Sequence, residues 1–345
     1  MACRGIKQII KTMKYNISIT VAFLLAASSL WAERPNIGSV VRHDAAFDKL
    51  VAKDATIEVL ASGFVWSEGP VWDKENSRLL WSDVPANTIY QWSEKKEGHS
   101  VFMTPSGYTG VTPGYPEPGS NGLSFDAKGR LISCEHGDRR VAMLTPGGGK
   151  VTLADRYDGK RFNSPNDLAI HSSGAIYFTD PPYGLPRREK DPRRETDWFG
   201  VYRIETGGKV TLLTKECDRP NGIALSPDEK KLYVAQSHGP KPYIFSWDIK
   251  ADGTLGPQKV LFDCSALARK YPGAPDGMKV DKDGIIWTTG PGGVLVISPE
   301  GKLLGHILTG QRTANCNWGD DGSTLYMTAD FHVCRIRTLT KGAGW

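Results

Sequence analysis

Short runs rich in β-branched and aromatic residues recur along the chain and are separated by turn-forming residues. Examples are Leu79–Trp81, Ala175–Thr179, Lys231–Val234 and Ile285–Thr288. Runs of this length and composition are typical of β-strands, and the turns before them are typical of hairpins. The pattern predicts an all-β protein in which a strand, a reversal and a second strand recur.

Each repeat begins at a polar residue, which we call its anchor residue. The six anchor residues are Glu68, Asn121, Asn166, Asn221, Asp276 and Asn315. They are 53, 45, 55, 55 and 39 residues apart, about 49 on average. Repeats of this length, with short strands and connections rich in Gly and Pro, predict a six-bladed β-propeller whose blades are four-stranded sheets around a channel.

The two ends of the repeat region complement each other. Only 30 residues follow Asn315, which is too few for a complete blade with its connections. The segment before the first anchor residue contains the strand-like run Ala55–Leu60. We therefore expect the N-terminal strand to complete the last blade and close the ring.

Residues 1–32 differ from the rest of the chain. Four basic residues up to Lys14 precede an uncharged, mainly apolar run, Ile17–Leu25, and small residues follow up to Ala32. This order is typical of a secretory signal peptide, with cleavage expected before Glu33. We expect an exported protein, periplasmic or secreted, in which residues 33–345 form a single propeller domain.

Removing this leader changes the charge balance. The leader holds four basic residues and no acid, so the formal net charge of +5 falls to +1. A balance this close to neutral argues against a nucleic-acid partner. No later stretch approaches the roughly 18 consecutive apolar residues of a membrane-spanning helix, so we expect no membrane partner after cleavage. Five cysteines remain without a Cys-x-x-Cys spacing, so at most two disulfides form. The pairing and the oligomeric state stay open.

Four of the anchor residues carry side-chain oxygens suited to a metal ion. The first residues of the innermost strands of a propeller converge on the channel mouth, which would bring Glu68, Asn166, Asn221 and Asp276 together. Two carboxylates and two amide oxygens are hard donors that suit Ca²⁺, or another divalent cation. The alternative is that Asn-Gly and Asp-Gly are turn dipeptides at blade entrances. Glutamate is no turn former, which weakens that alternative for Glu68.

The motifs around these four residues resemble those of a known family. They are Ser67-Glu68-Gly69-Pro70, Ser164-Pro165-Asn166-Asp167, Pro220-Asn221-Gly222 and Pro275-Asp276-Gly277-Met278. Together they resemble the gluconolactonase, regucalcin (senescence marker protein) and diisopropyl-fluorophosphatase superfamily of six-bladed propellers, from about residue 56 to 340. Segments 134–137 and 179–184 look like those of bacterial gluconolactonases in particular. The resemblance implies a divalent metal, usually calcium, held by the four residues, and hydrolysis of a lactone or related ester.

The mechanism that the resemblance implies is metal-assisted hydrolysis, with Asp276 as the catalytic residue. The metal would polarise the lactone carbonyl. Asp276 would orient or deprotonate the attacking water, or attack directly as a nucleophile, and the sequence does not choose between these routes. Animal regucalcins carry a substrate-binding arginine at the position of Ser164, so their specificity for sugar acids is not carried over.

Other polar residues are candidates for binding the substrate. Asn121, Glu135 and His136 mark the second blade at the same face, where they could form hydrogen bonds with sugar hydroxyls or supply an acid or base. Asp180 and Tyr183 are candidates for the pocket wall. Two structural alternatives stand beside these roles: His136 could be a hydrogen-bonded histidine at a strand end, and the Pro181-Pro182 pair near Asp180 and Tyr183 could simply impose a rigid turn.

The sixth anchor residue is the exception. Asn315 is followed by Cys316 where a glycine is usual, which favours a structural role for this asparagine.

Two long connections interrupt the repeat, Thr104–Ser120 and Pro181–Trp198. Both adjoin the face of the anchor residues, where they could form the walls of a substrate pocket. For the first connection a pocket wall and a solvated surface loop are equal alternatives. The charged run 187–191 of the second connection favours a solvated loop.

Signatures of several other enzyme classes are missing from the sequence, including Gly-x-Ser-x-Gly, His-Glu-x-x-His and the phosphate-binding Gly-x-x-x-x-Gly-Lys-Ser/Thr. We predict a calcium-dependent hydrolase that opens a small sugar lactone such as gluconolactone to the aldonic acid. Two alternatives remain: the same site could act on another ester or a phosphotriester, or the propeller could bind a ligand without catalysis around a structural calcium.

Overall fold

A computed structural model describes residues 34–96 and 98–345. Within them, Arg34–Trp345 form one compact unit. The predicted signal peptide and its cleavage site lie outside the described residues. No helix in the described part of the chain is long and apolar enough to cross a membrane.

Six antiparallel sheets contain nearly all of the strands, and the strands of each sheet follow one another from the channel outward. Blade 1 consists of β4 (Ser67–Asp73), β5 (Arg78–Asp83), β6 (Thr88–Trp92) and β7 (His99–Met103). Blade 2 consists of β8 (Ser120–Phe125), β9 (Leu131–Glu135), β10 (Arg140–Leu144) and β11 (Lys150–Ala154). Blade 3 consists of β14 (Leu168–Ile170), β15 (Ile176–Asp180), β16 (Gly200–Ile204) and β17 (Val210–Thr214). Blade 4 consists of β18 (Pro220–Leu225), β19 (Lys231–Gln236), β20 (Tyr243–Asp248) and β21 (Lys259–Asp263).

The last two blades have five strands each because the N-terminal segment contributes to both. Blade 5 consists of β22 (Met278–Val280), β23 (Ile286–Gly290), β24 (Gly293–Ile297), β25 (Leu303–Leu308) and β2 (Ser39–Arg42). Blade 6 consists of β26 (Thr313–Gly319), β27 (Thr324–Ala329), β28 (His332–Arg337), β3 (Ile57–Ser62) and β1 (Asn36–Ile37). A small separate hairpin pairs β12 (Arg156–Tyr157) with β13 (Lys160–Arg161). Helical structure in the described residues is limited to two 3₁₀ turns, Ala45–Lys49 and Arg188–Lys190, and one short α-helix, Ser265–Ala268.

The innermost strands form a closed ring. Each contacts the innermost strand of the next blade, in the order β4, β8, β14, β18, β22, β26 and back to β4. The prediction of an all-β, six-bladed propeller is therefore confirmed.

The ring is closed by strand pairing between distant parts of the chain. The outer strand β3 pairs antiparallel with β28, with Glu58 opposite Arg335, and the two side chains form a 2.8 Å ion pair. In addition, β2 pairs with β25, with Ser39 opposite Leu308. Residues before the first anchor residue thus belong to two blades, whereas the sequence pattern indicated a strand for only one of them.

The hydrophobic core is divided into six clusters, one between each pair of neighbouring blades. Successive residues of a strand point to opposite faces of the sheet. In β15, for example, Phe178 belongs to the cluster shared with blade 2, and Tyr177 belongs to the cluster shared with blade 4. Between blades 5 and 6, Trp287 packs edge-on against Trp318, with ring centroids 5.1 Å apart. Both faces of every blade are therefore buried.

The five cysteines of the described region take part in this packing. Cys134, Cys217, Cys264, Cys316 and Cys334 are all buried, and none is joined to another. The described residues thus contain no disulfide, although the sequence allowed up to two.

Candidate functional site

A cavity of about 490 Å³ opens at the end of the ring where the innermost strands begin. The four predicted metal ligands, Glu68, Asn166, Asn221 and Asp276, all line it. Glu68 and Asn221 are the second residues of their innermost strands, β4 and β18, and the other two lie two residues before β14 and β22. The structure therefore brings together four side chains that are up to about 200 residues apart in sequence.

Hydrogen bonds between blades hold these residues in place. The hydroxyl of Thr179, on the second strand of blade 3, donates to the carbonyl of Asn221 in blade 4 at 2.7 Å. In the same way, Ser82 of blade 1 donates to the carbonyl of Asn121 in blade 2 at 3.0 Å. The second strand of one blade thus fixes the backbone of the next anchor residue.

The glycine after an anchor residue is required by close approach of the neighbouring blade. A Cβ on Gly222 would lie 2.0 Å from the carbonyl oxygen of Asp276. A Cβ on Gly277 would lie 2.0 Å from Cγ of Asn315, and one on Gly122 would lie 2.6 Å from Oδ1 of Asp167. Gly122 and Gly222 lie inside β8 and β18, so these dipeptides do not form turns. Their role is to let the anchor residues crowd around the channel.

Several acceptor oxygens in the cavity have no donor. Oδ1 of Asn121, Asn166, Asn221 and Asp276 is buried and without a hydrogen-bond partner among the described residues. Leaving a buried acceptor unpaired costs about 1–3 kcal/mol each. Their number and their convergence on one cavity fit a hard cation, which would satisfy several of them at once.

His136, on the side of Asn166 away from the cavity, fixes the orientation of the Asn166 side-chain amide. Its Nδ2 lies 3.4 Å from Nε2 of His136, and burial lowers the pKa of this histidine to about 4, so the ring is neutral. A neutral ring with its proton on Nδ1 accepts at Nε2, which leaves Oδ1 of Asn166 facing the cavity. Nδ1 of His136 in turn lies 3.7 Å from Oε2 of Glu117.

Glu68 and Asp276, the two carboxylates among the four predicted metal ligands, lie where their charged forms are disfavoured. Burial, with the charge of Asp167 adding, raises the pKa of Glu68 to about 8. Burial, with the charges of Glu68 and Asp167 adding, raises the pKa of Asp276 well above its usual range. A divalent cation between Glu68 and Asp276 would remove this repulsion. Among the described residues no group of three His, Cys, Asp or Glu side chains is placed to hold a metal, and a site at the channel mouth needs its amide oxygens as well as its two acids.

The predicted substrate-binding residues fall into two groups. Asn121 and Tyr183 line the cavity. His136 is fully buried behind Asn166, and Glu135 and Asp180 bind neighbouring residues instead of facing the cavity. Glu135 pairs with Arg140 at 2.6 Å and with Lys150 at 2.5 Å.

Asp180 has a structural environment of its own. Its carboxylate accepts hydrogen bonds from the backbone amides of Asn163 at 2.8 Å and Ser164 at 2.7 Å. These residues come shortly before Asn166, so Asp180 fixes the turn that positions this anchor residue.

Asn315, the sixth anchor residue, does not line the cavity. Its Nδ2 lies 3.3 Å from Oδ2 of Asp167.

Sequence reasoning missed six polar residues of the cavity wall. They are Glu117, Arg188, Arg219, Ser237, Arg312 and Thr313. Arg219 and Arg312 stand two and three residues before an anchor residue, and this spacing is the signal that could have revealed them.

The two long connections supply further residues of the wall. Glu117 belongs to Thr104–Ser120, and Tyr183 and Arg188 belong to Pro181–Trp198, so both connections contribute to it. Arg188 is exposed, as expected for the charged run 187–191, but it also lines the cavity.

The fold and the cavity define a class: a six-bladed propeller with an oxygen-rich site at its channel mouth. A family model described as the SMP-30/Gluconolactonase/LRE-like region matches residues 66–330. The chain belongs to this family, as its motifs predicted.

Known relatives agree with the family assignment. A gluconolactonase of Zymomonas mobilis is 39% identical over 313 residues, which span 89% of this chain and 88% of that protein. A pentonolactonase of Haloferax volcanii is 26% identical and spans 76% of this chain and 80% of that protein. The solved structure of a gluconolactonase from Xanthomonas campestris is 31% identical with a TM-score of 0.75, and covers 88% of this chain and 97% of that one. The prediction of a gluconolactonase-like lactone hydrolase is confirmed at the level of enzyme class.

Proposed function

We propose that this protein hydrolyses sugar lactones such as gluconolactone to the aldonic acid and depends on a divalent cation, Ca²⁺ first among the candidates. The observation that carries the proposal is the convergence of unpaired buried oxygens from three asparagines and Asp276 on one cavity. The cavity, at about 490 Å³, is large enough for a single sugar ring, since ligand pockets typically start at about 300 Å³. The lactone-hydrolysing relatives support the reaction class.

Glu68, Asn166, Asn221 and Asp276 would hold the cation. Their two carboxylates balance its two charges, and their neutral amide oxygens add ligands without adding repulsion. When bound, the cation supplies Lewis-acid polarisation of the lactone carbonyl.

Asp276 is the residue placed to handle the attacking water. Its carboxylate lines the cavity and makes no hydrogen bond through Oδ1 in the described chain, so one carboxylate oxygen can hold the cation while the other accepts a proton from a water molecule. As that O–H bond breaks, the water oxygen adds to the carbonyl carbon. The ring C–O bond then breaks, and the ring oxygen takes up a proton to become the new hydroxyl.

Direct attack by a carboxylate oxygen of Asp276 on the carbonyl carbon is the other route through the same residue. The ring C–O bond would break, the ring oxygen would take up a proton, and a mixed anhydride with the aspartate would form, which water then hydrolyses. After a single turnover in ¹⁸O-labelled water, label in Asp276 would identify nucleophilic attack, since it enters the aspartate only when water adds to the aspartyl carbon of the anhydride.

Asn121 and Tyr183 are placed to bind the sugar. Oδ1 of Asn121 and the hydroxyl of Tyr183 are buried and have no hydrogen-bond partner among the described residues. Sugar hydroxyls donate to both and accept from the tyrosine hydroxyl. Burial raises the pKa of Tyr183 further above its usual value, so the phenol keeps its proton.

The test measures bound metal and lactone hydrolysis together for the wild type and for Asp276→Asn. Hydrolysis should fall at least about 100-fold in the variant, as is usual when a general base is lost. Asp54→Asn is the matched control, because Asp54 is exposed and outside the cavity. Unchanged turnover in Asp276→Asn would remove this residue from the mechanism.

The same assay separates the other functions for this site. Faster turnover of a phosphotriester than of any lactone would replace the proposed reaction. Stabilisation by Ca²⁺ without turnover of either substrate would indicate a binding propeller.

We also propose that residues 1–32 direct export. N-terminal sequencing of the protein recovered from outside the cytoplasm should begin at or near Glu33, and a mature protein that retains Met1 would contradict the proposal.

A further inference from the structure

Three arginines line the cavity, and two of them form no ion pair in the described chain. Arg219 pairs with Glu189. Within residues 34–96 and 98–345, no carboxylate oxygen lies within 4.0 Å of the guanidinium of Arg188 or Arg312. An arginine that faces a concave site without an internal partner is available to a ligand.

The two arginines reach the cavity from different blades. Arg188 lies in the 3₁₀ turn of the long blade 3 connection, with Cζ 5.8 Å from the ring centroid of Tyr183. Arg312 lies just before β26, the innermost strand of blade 6. Arg188 and Arg312 are exposed, whereas Oδ1 of Asp276 is buried, so a sugar whose carbonyl reaches Asp276 would have its other end near the guanidinium groups.

The cavity wall keeps a net positive charge after a bound cation has neutralised the four predicted metal ligands. A divalent cation balances Glu68 and Asp276. The remaining wall has its three arginines, opposed by Glu189 and Glu117, which leaves one positive charge in excess even with Glu117 ionised. Burial raises the pKa of Glu117, and its protonation would increase that excess.

A neutral sugar lactone gives these arginines only hydroxyl groups to bind. A guanidinium binds a carboxylate, phosphate or sulfonate through two parallel hydrogen bonds, which are stronger than those to a neutral hydroxyl. We propose that the preferred lactone carries such an anionic group, bound by Arg188 and Arg312, at the end of the sugar remote from the reacting carbonyl. This inference rests on the proposed lactone hydrolysis.

The experiment compares gluconolactone with three analogues that carry an anion at C6: a phosphate, a sulfonate and a carboxylate. The kcat/KM of at least one anionic lactone should exceed that of gluconolactone by about tenfold or more, the size of a hydrogen bond to a charged group. The three analogues show which anion fits. The advantage should shrink as the salt concentration rises, because salt screens attraction at an open site.

The variants Arg188→Gln and Arg312→Gln then test the residues. The ratio of kcat/KM for the anionic and neutral lactones should fall toward one, mainly through KM of the anionic lactone. Arg269→Gln is the matched control, because Arg269 is exposed and outside the cavity. A melting temperature equal to that of the wild type in each variant shows that the fold is intact.

Calorimetric binding of 6-phosphogluconate gives a readout that does not depend on turnover. Binding should weaken about tenfold or more in each arginine variant and stay unchanged in the control. Equal turnover of neutral and anionic lactones, with binding of 6-phosphogluconate unaffected by either variant, would overturn the inference and leave the proposed function standing. Absence of turnover of every lactone would instead overturn the proposed function, and the calorimetry would still decide whether the arginines bind an anion.

Discussion

Nδ2 of Asn221 donates a 2.9 Å hydrogen bond to Oγ of Ser237. The hydroxyl of Ser237 itself donates to the carbonyl of Pro275, the residue before Asp276. Because its proton is used there, Oγ of Ser237 must accept from Asn221, and this fixes the amide with Oδ1 toward the cavity. The hydroxyl of Ser237 thus orients the proposed ligand Asn221 and holds the backbone next to the proposed ligand Asp276.

Replacing Ser237 should therefore weaken metal binding. In Ser237→Ala the amide of Asn221 loses the bond that orients it, and we expect the Kd for Ca²⁺ to rise about tenfold, the effect usual for a residue that supports a ligand from behind. Isothermal titration of metal-free protein measures it. Ser246→Ala removes a hydroxyl from the same blade outside the cavity and should leave the Kd unchanged. Equal affinity in Ser237→Ala would show that the hydroxyl does not orient the ligand.

Removing the metal should destabilise the fold. Glu68 and Asp276 are buried together, and without a cation they either repel each other or take up protons. At a Ca²⁺ concentration 100 times its Kd, the free energy of unfolding should be about 2.7 kcal/mol higher than in chelator. Thermal melts with EDTA, and after Ca²⁺ is restored, measure the difference. Identical melting temperatures would contradict a resident cation.

A methyl group on Gly222 should be costly. It would lie 2.0 Å from the carbonyl oxygen of Asp276, so one of the two blades must move. We expect Gly222→Ala to lower the free energy of unfolding by about 1–3 kcal/mol, the usual cost of overpacking, and to reduce metal affinity as well. Urea denaturation measures the first effect. Gly207→Ala is the control, because a Cβ there has no atom within 4 Å. Equal stability of the two variants would show that the blades can move apart at Gly222 without a cost in free energy of unfolding.

Stability should also depend on pH through His306. Burial, with the nearby His43 adding, lowers the pKa of His306 to about 4, against about 6.5 in an unfolded chain. Between these values the unfolded state binds more protons than the folded state, so stability rises with pH across this window and is lost on acidification. The effect is on the order of 2 kcal/mol.

The variant His306→Phe tests this contribution. It keeps an aromatic ring against Tyr271, whose ring centroid is 5.4 Å away, and has no proton to bind. Urea midpoints from pH 4.5 to 7 should rise less steeply in the variant than in the wild type. Parallel profiles would show that His306 titrates normally in the folded protein.

The anchor residues were predictable because they recur at equivalent positions of a repeated unit. Glu68 and Asn221 each stand second in an innermost strand, so spacing alone indicated that their side chains share one end of the ring. The same reasoning could not exclude Glu135, which also ends a strand at this face. Its partner Lys150 lies 15 residues away on β11, and a strand pattern does not show which charged groups pair.

The residues that the sequence did not reveal lie in irregular connections. Glu117 and Arg188 belong to loops without a repeated register, where neither period nor spacing fixes the direction of a side chain. The second role of the N-terminal segment was hidden for a related reason. The four residues of β2 are too few to form a pattern, and only the partner β25 defines them as a strand.

Closure of the ring by β3 has a consequence for how the protein is made. Its partner β28 lies about 270 residues further along the chain, and so does β25, the partner of β2. During synthesis β2 and β3 remain without these partners until the later strands have been made. Because loop closure over such a distance is slow compared with local hairpin formation, individual blades can take shape early, but the circle as a whole is sealed last.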